Sequence, residues 1–223
     1  MTVDAGYGRL PLSAEELLTT TRAVRRRLDL SRPVSRDVLR RCVELALQAP
    51  SASNRWPLQF VIVTDAQRRE ALADAYRDAY AAYRASRGYI GKVDKGDEDR
   101  NAQQQRTAQS ADTLAETMDR VPAIVLACAL GRADGQPAHR AVNLAASAHP
   151  GMWSFMLAAR LHGLGTCWTG VSLADEARTA AIVGIPHDEV TICALSPVAY
   201  TIGTDFRPAL RPSPDEVIHW DSW

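Results

Sequence analysis

Three arginines lie close together early in the chain, in the stretch TTTRAVRRR. Arg25 and Arg26 follow Arg22 by three and four residues, so a helix through this stretch would place all three on one face. Guanidinium groups on one face can bind a phosphate through paired, charge-assisted hydrogen bonds. A solvated basic helix face explains the same residues. A nucleic-acid surface is a weaker alternative, because no aromatic side chains are interleaved with the arginines.

A polar loop precedes a β-branched segment in the stretch APSASNRWPLQFVIV. Ser51, Ser53 and Asn54 carry side chains that can donate or accept hydrogen bonds. Trp56 and Pro57 add rigid apolar walls beside them. The loop can therefore hold a ligand, although a simple turn explains proline, serine and asparagine equally well.

A third motif, GLGTCWTGV, contains Gly163, Gly165 and Gly170. Glycine permits unusual dihedral angles and close backbone approach, so main-chain amides here can face a flat polar ring. The motif is not a dinucleotide-binding fingerprint, because Trp168 replaces the third glycine and a predicted helix, rather than a strand, precedes it. Each of the three motifs is weak evidence by itself.

Interspersed helix and strand patterns predict how the motifs are positioned within one mixed α and β domain spanning residues 1–223. Ser13 and Glu16 have the spacing of a capping box, which predicts a helix over residues 14–28 that carries the arginines. Short apolar runs predict buried strands at QFVIVT, AIVLACAL and VTICALSPVAY. Further helices are predicted over residues 35–49, 65–84, 107–119, 138–162 and 173–183.

Two segments lack a regular apolar period. Residues 87–106 are rich in charge and glycine, which predicts a mobile surface excursion and makes residues 80–106 a candidate lid. The tail, residues 201–223, contains several prolines and ends with Trp220 and Trp223. We expect this aromatic-ended tail to cover a surface, its own or a partner's.

The composition excludes several classes of protein. The 26 Lys and Arg balance the 26 Asp and Glu, so no overall charge attracts nucleic acid or an acidic membrane. Neither a signal-peptide pattern nor an apolar run of membrane-spanning length is present in the sequence. The four cysteines stand apart, which predicts reduced, mostly buried thiols and a cytoplasmic location. The five scattered histidines favour capping or surface roles over a metal site.

The order of these motifs resembles that of the flavin-dependent nitroreductases. The resemblance rests on the arginine-rich first segment, the APSxxN loop before a strand, the stretch LAAxxxGLGTCW, and a proline-containing tail with Arg211 before EVIHWDSW. It implies an α+β fold with a central, mixed, mainly antiparallel sheet flanked by helices. It also implies an interlocked homodimer that binds FMN at the subunit interface. NADH or NADPH would deliver a hydride to the flavin, which would then reduce a small-molecule electron acceptor.

The resemblance assigns a role to each motif. Arg22 and Arg25 match phosphate-binding cations, with Arg26 as a neighbour and Arg211 as a further cation from the tail. The loop from Pro50 would lie along the flavin ring and ribityl chain, and backbone near Thr169 would lie at the reactive N5 and O4, so no catalytic side chain is needed. The positions expected at the cofactor are Arg22, Ala23, Val24, Arg25, Arg26, Pro50, Ser51, Ala52, Ser53, Asn54, Trp56, Cys167, Trp168, Thr169, Gly170 and Arg211.

Two positions depart from the pattern of this family. Ala23 stands where many members have serine, and Trp56 stands where glutamine is common. The resemblance predicts an FMN-dependent NAD(P)H oxidoreductase that reduces a nitroaromatic, a quinone or a related acceptor by a ping-pong mechanism. Two alternatives stay open: a protein that sequesters FMN without turnover, and a related flavin enzyme that uses oxygen or removes halogen. Residues 205–223 are expected to form an arm that wraps the partner subunit.

Overall fold

Strand β2 (Ala123–Leu130) separates two hydrophobic cores in the computed structural model, which describes residues 8–223. Ile124 and Leu126 belong to one core, whereas Val125 belongs to the other. This alternation follows from the two-residue period of a strand. Every residue of β2 except the last is buried, so the sheet is covered on both faces.

Three further strands complete the sheet. β1 (Leu58–Val63) and β4 (Val190–Tyr200) pair with β2, and β3 (Leu164–Thr166) pairs with β4. All of these pairings are antiparallel, and the order across the sheet is β1-β2-β4-β3. A parallel bridge between Ala23 and Thr166 extends the β3 edge. The predicted α+β fold and its three long strands are confirmed.

Helices pack against both faces of this sheet. In the described residues they are α1 (Ala14–Thr20), α2 (Arg36–Ala46), α3 (Ala66–Ala85), α4 (Glu98–Thr117), α5 (Ala138–Leu161) and α6 (Glu176–Val183). Residues of α2 and α5 share the core of Val125, and residues of α3, α4 and α6 share the core of Leu126. The predicted α2, α3 and α5 are confirmed within a few residues. α6 begins later than predicted, because a 3-10 turn occupies Val171–Asp175.

Helix α1 begins as predicted and ends early. Ser13 Oγ accepts a hydrogen bond from the Glu16 N–H at 3.1 Å, and Glu16 Oε2 accepts one from the Ser13 N–H at 2.8 Å. The hydroxyls of Thr20 and Thr21 each donate to a carbonyl four residues earlier, at 2.6 Å. β-Branched residues with such back-bonds are poor helix formers, and the chain becomes extended at Thr21. A shared helix face is therefore wrong for Arg22, Arg25 and Arg26.

The polar segment 87–106 is partly helical. Its second half belongs to α4, which Asp97 caps by accepting a backbone hydrogen bond at 2.8 Å. The prediction that this helix begins at residue 107 is therefore wrong. Asp112 of α4 accepts hydrogen bonds from the hydroxyls of Tyr80 and Tyr89, at 3.0 and 3.3 Å, and so joins α3 and the segment to α4. A lid-like role for residues 80–106 stays a prediction.

The remaining observations concern the class of protein. Within residues 8–223, no helix combines the length and apolar character needed to cross a membrane. The same residues contain no cluster of three His, Cys, Asp or Glu side chains suited to a metal ion. All four cysteines are free and buried, as the sequence predicted. The expected absence of a signal peptide concerns in part residues 1–7, which lie outside the described residues.

Candidate cofactor site

After α1 the chain bridges to β3 at Ala23, turns at residues 25–27 and bridges again at Leu28. We call residues 21–28 the arginine segment. The Val24 N–H donates to the Thr166 carbonyl at 2.8 Å, and Leu28 forms an isolated bridge near the end of β4. The side chains of Val24 and Leu28 are buried in the core. These two side chains pack closely against β3 at Gly165, where the absence of a side chain leaves room for them. Isolated bridges on either side of a turn, rather than a helix, therefore position the arginines.

One face of α4 lies along the arginine segment. The Arg25 guanidinium donates to Ser110 Oγ at 3.3 Å, and the Arg26 guanidinium donates to Thr113 Oγ1 at 3.5 Å. Further along the same face, polar side chains reach a cavity beside Arg22. Alternating steps of four and three residues keep this set on one side of the helix. The set, which we call the α4 stripe, is Asp99, Gln103, Arg106, Ser110 and Thr113.

A polar cavity of about 390 Å³ lies between Arg22, the N-terminal half of the α4 stripe and residues 208–210 of the tail. Burial lowers the pKa of Arg22, and the positive charge of Arg211 lowers that pKa further. The second effect requires the two guanidinium groups to be near each other. Arg22 therefore lines this cavity, which we call the arginine cavity, and Arg211, which follows the lining residues 208–210, lies close enough for its charge to act on Arg22.

The tail reaches the arginine cavity because it packs on its own subunit first. Arg27 forms an ion pair with Asp205 at 2.6 Å. The ring of Phe206 lies between two guanidinium carbons, 4.4 Å from that of Arg27 and 4.8 Å from that of Arg160. Cations over an aromatic face are attracted by its negative quadrupole. Beyond the cavity, Glu216 lies 3.5 Å from an Arg100 nitrogen of α4.

The loop before β1 holds an unusual backbone. Ser53, Asn54 and Trp56 have φ angles of 53°, 53° and 50°, in the left-handed region that residues other than glycine rarely adopt. The Trp56 N–H donates to Ser51 Oγ at 3.0 Å, and its indole N–H donates to Asn54 Oδ1 at 2.6 Å. These bonds fix a half-exposed indole on the surface. Strained backbone of this kind clusters at binding sites.

In the strip after β3, residues 167–170, backbone N–H groups alternate between those bonded to β4 and those without an acceptor. The Cys167 N–H donates to Ser196 Oγ at 2.9 Å, and the Thr169 N–H donates to the Leu195 carbonyl at 2.9 Å. In an extended chain, alternate N–H groups point to opposite sides. The N–H groups of Trp168 and Gly170 therefore point away from β4, and within residues 8–223 neither has an acceptor. The strip can offer two convergent donors to a ligand.

The side chains behind this strip are buried. The hydroxyl of Tyr76, on α3, lies near the Thr169 side chain, and burial raises the pKa of Tyr76 to about 12. Burial likewise raises the pKa of the Cys167 thiol, although the nearby Arg25 guanidinium opposes this shift. Cys167 therefore stays a protonated thiol, and the Tyr76 hydroxyl stays protonated.

The structure places the predicted site residues at two opposite edges of the sheet. At the β3 edge, Arg22 lines the arginine cavity with Arg211 nearby, whereas the Arg25 and Arg26 guanidinium groups contact the α4 stripe. Ala23 is exposed, and Val24 is buried with its N–H already bonded. The strip Cys167, Trp168, Thr169 and Gly170 lies at the β3 edge of the sheet with the arginine segment. The loop at the opposite, β1 edge contains Pro50, Ser51, Ala52, Ser53, Asn54 and Trp56.

Sequence reasoning missed the α4 residues at the cavity. Asp99, Gln103 and Arg106 line it from a segment that the sequence analysis treated as surface. Their spacing from Ser110 and Thr113 on one helix face was a signal, but only the contact of this face with the arginine segment reveals its meaning. No apolar period marks this part of α4.

Comparison with known families identifies the chain. Residues 18–200 match the nitroreductase family, and the chain belongs to that family. The match includes the arginine segment, the loop before β1 and the strip after β3. No curated protein matches the sequence.

Solved structures share the fold over nearly the whole chain. A variant of the FMN and NADPH-dependent nitroreductase NfnB from Sphigopyxis sp. strain HMH is 25% identical, with a TM-score of 0.65, and the match covers 95% of this chain and 100% of that one. The nitroreductase-like family protein from Bacillus cereus is 19% identical with a TM-score of 0.64, covering 94% and 96%. NfrA2 from B. megaterium is 17% identical with a TM-score of 0.67, covering 94% and 74%.

Proposed function

We propose that this chain binds FMN and acts as an NAD(P)H-dependent oxidoreductase. The electron acceptor would be a nitroaromatic, a quinone or a related small molecule, reduced by a ping-pong mechanism. The observation that carries the proposal is the arginine cavity, which Arg22 lines and which Arg211 adjoins; neither arginine forms an ion pair in the described residues. Family membership and the name of the NfnB relative, which includes both FMN and NADPH, also support it.

The residues present suit the parts of FMN. Its dianionic phosphate requires cations that are not already neutralised, and Arg22 and Arg211 supply them. Its flat ring has a polar edge, which the unpaired N–H groups of Trp168 and Gly170 can bind. Half-exposed Trp56 offers an apolar surface to a planar ring. The site therefore offers cations to the phosphate, N–H donors to the polar edge of the ring and an indole to the face of the ring.

FMN, when bound, supplies the capacity to accept and return a hydride. The chain supplies position and electrostatics. The bond from the Thr169 N–H to Leu195 fixes the strip against β4, so that the N–H groups of Trp168 and Gly170 keep their direction. Preorganised backbone donors of this kind stabilise developing negative charge without having to reorient. Buried Tyr76 of α3 lies beside the same strip.

The positions of the motifs support a homodimer. The loop before β1 and the arginine segment lie at opposite edges of the sheet, separated by four strand spacings, or about 19 Å. A second copy would bring its own loop to the arginine cavity of the first. Trp220 and Trp223 are 83% and 101% exposed, which leaves large apolar surfaces for a partner to cover. A cytoplasmic location, supported by the four separate buried thiols, is part of this proposal.

The proposal is tested with purified protein. We expect a flavin absorbance spectrum, either as purified or after addition of FMN, which is bleached by NADH or NADPH under anaerobic conditions and restored by a nitroaromatic or a quinone. Protein that binds no FMN would contradict the central claim. FMN binding without steady-state NAD(P)H oxidation would favour sequestration instead. Oxidation that requires oxygen and ignores other acceptors would favour an oxygen-using relative.

A further inference from the structure

The arginine cavity holds an excess of positive charge. Arg22 and Arg106 line it, Arg211 lies close enough to lower the Arg22 pKa, and Asp99 is the one carboxylate among the lining residues. No ion pair connects Asp99 with any of these arginines in residues 8–223. The cations therefore repel one another, and an anion in the cavity would relieve that repulsion.

Arg106 has no acidic partner in the described residues, unlike two other arginines of α3 and α4. Arg100, on the same helix, pairs with Glu216 at 3.5 Å, and Arg84 pairs with Asp112 at 3.2 Å. Arg106 forms no ion pair or hydrogen bond within the described part of the chain, yet it lines a polar cavity with Gln103, one turn earlier on α4. A guanidinium and an amide on one helix face, both directed at a polar cavity, form a donor pair suited to phosphate oxygens.

We propose that Arg106, assisted by Gln103, binds the phosphate group of FMN together with Arg22 and Arg211. This inference rests on the proposed function and adds a role for α4. The arginine segment, the tail and α4 then meet at one phosphate, and α4 forms a wall of the cofactor site rather than part of a lid. The bonds from Arg25 and Arg26 to Ser110 and Thr113 hold α4 in this position.

The test compares FMN with riboflavin, which has the same ring and ribityl chain but lacks the phosphate. Dissociation constants for both flavins are measured by fluorescence titration of the apoprotein for wild type, Arg106→Ala and Arg106→Lys. Loss of one charge-assisted contact is expected to weaken FMN binding by about tenfold to a hundredfold in Arg106→Ala. Riboflavin affinity is expected to stay within about twofold of wild type. Arg106→Lys should give an intermediate FMN affinity, because lysine keeps the charge but loses the planar fork.

Arg87→Ala serves as the matched control. Arg87 is an exposed arginine that precedes α4 and lines none of the cavity, so its replacement changes net charge equally and should leave both affinities unchanged. Circular dichroism and thermal unfolding verify that each variant folds. If Arg106→Ala is unstable, the ratio of FMN to riboflavin affinity in the more conservative Arg106→Lys decides the question.

Failure of the inference is distinguishable from failure of the proposed function. Wild type that binds FMN while Arg106→Ala binds it equally well would overturn the role of Arg106 alone. Equal losses for FMN and riboflavin in the variant would also overturn it, because they would indicate a structural effect rather than a phosphate contact. Wild type that binds neither flavin would overturn the proposed function and this inference together.

Discussion

Replacing Gly165 with alanine should disturb the arginine segment directly. A Cβ atom at this position would lie 2.9 Å from Val24 Cβ, 2.9 Å from Thr201 Cγ2 and 3.0 Å from Leu28 Cδ2. Val24 Cβ is attached to the backbone and cannot rotate away, so the arginine segment itself must move. The change is small in volume but falls between β3 and the chain that carries Arg22.

The expected cost follows from overpacking of a filled interior. Inserting a methyl group into such a site destabilises by about 1–3 kcal/mol. For a domain of this size each kcal/mol lowers the melting temperature by roughly 2–4 °C. We therefore expect Gly165→Ala to melt at least a few degrees below wild type, and to bind FMN more weakly because Arg22 lies two residues before Val24.

Thermal unfolding and fluorescence titration with FMN measure the two effects. Gly88→Ala is the control, because the nearest atom to its new Cβ would be Ser86 Oγ at 3.8 Å, an ordinary contact. A Gly165→Ala protein with wild-type melting temperature would refute the packing argument. A lower melting temperature with unchanged FMN affinity would show that the arginine segment does not position the cofactor.

Three further predictions concern the cofactor, α4 and assembly. Arg22→Ala combined with Arg211→Ala should weaken FMN binding by more than either change alone, without unfolding the apoprotein. Equilibrium titration measures the affinity, and an unchanged value would show that neither residue binds the cofactor. Asp112→Asn should weaken its bonds to two tyrosine hydroxyls and speed amide hydrogen exchange in the residues before α4, whereas exchange at the wild-type rate would show that this carboxylate does not hold them. Trp220→Ala with Trp223→Ala should shift sedimentation towards monomer at low protein concentration, and an unaltered distribution would show that the exposed indoles do not contribute to assembly.

Much of the fold could be predicted from local patterns. The capping box at Ser13 predicted where α1 begins, because its two hydrogen bonds join residues only three apart. The apolar run of β2 predicted a strand buried on both faces. The glycines of GLGTCWTGV indicated close backbone approach, which Gly165 shows. In each case the physical cause lies within a few residues of the pattern.

Two predictions failed because distant residues decide the outcome. The arginine spacing is compatible with a helix, but the open edge of β3 offers the Val24 N–H a partner 142 residues away (166 − 24) at Thr166. The early part of α4 has no apolar stripe, so periodicity could not reveal it. The cap at Asp97 is a local signal, but the polar face of α4 forms hydrogen bonds and an ion pair with the arginine segment and the tail, which are distant in sequence.

The sequence by itself determined three of the four strands, most helices, the separate buried thiols and the order of motifs by which the family was recognised, but not β3. These features depend on burial periodicity, capping and residue chemistry, which act over short stretches of chain. Only the tertiary structure decided that Arg106 faces the cavity beside Arg22, and that Trp168 and Gly170 keep unpaired N–H groups. Such convergence depends on how β3, α4 and the tail pack together. Packing of distant segments depends on the shape and charge of whole surfaces, which no local period encodes.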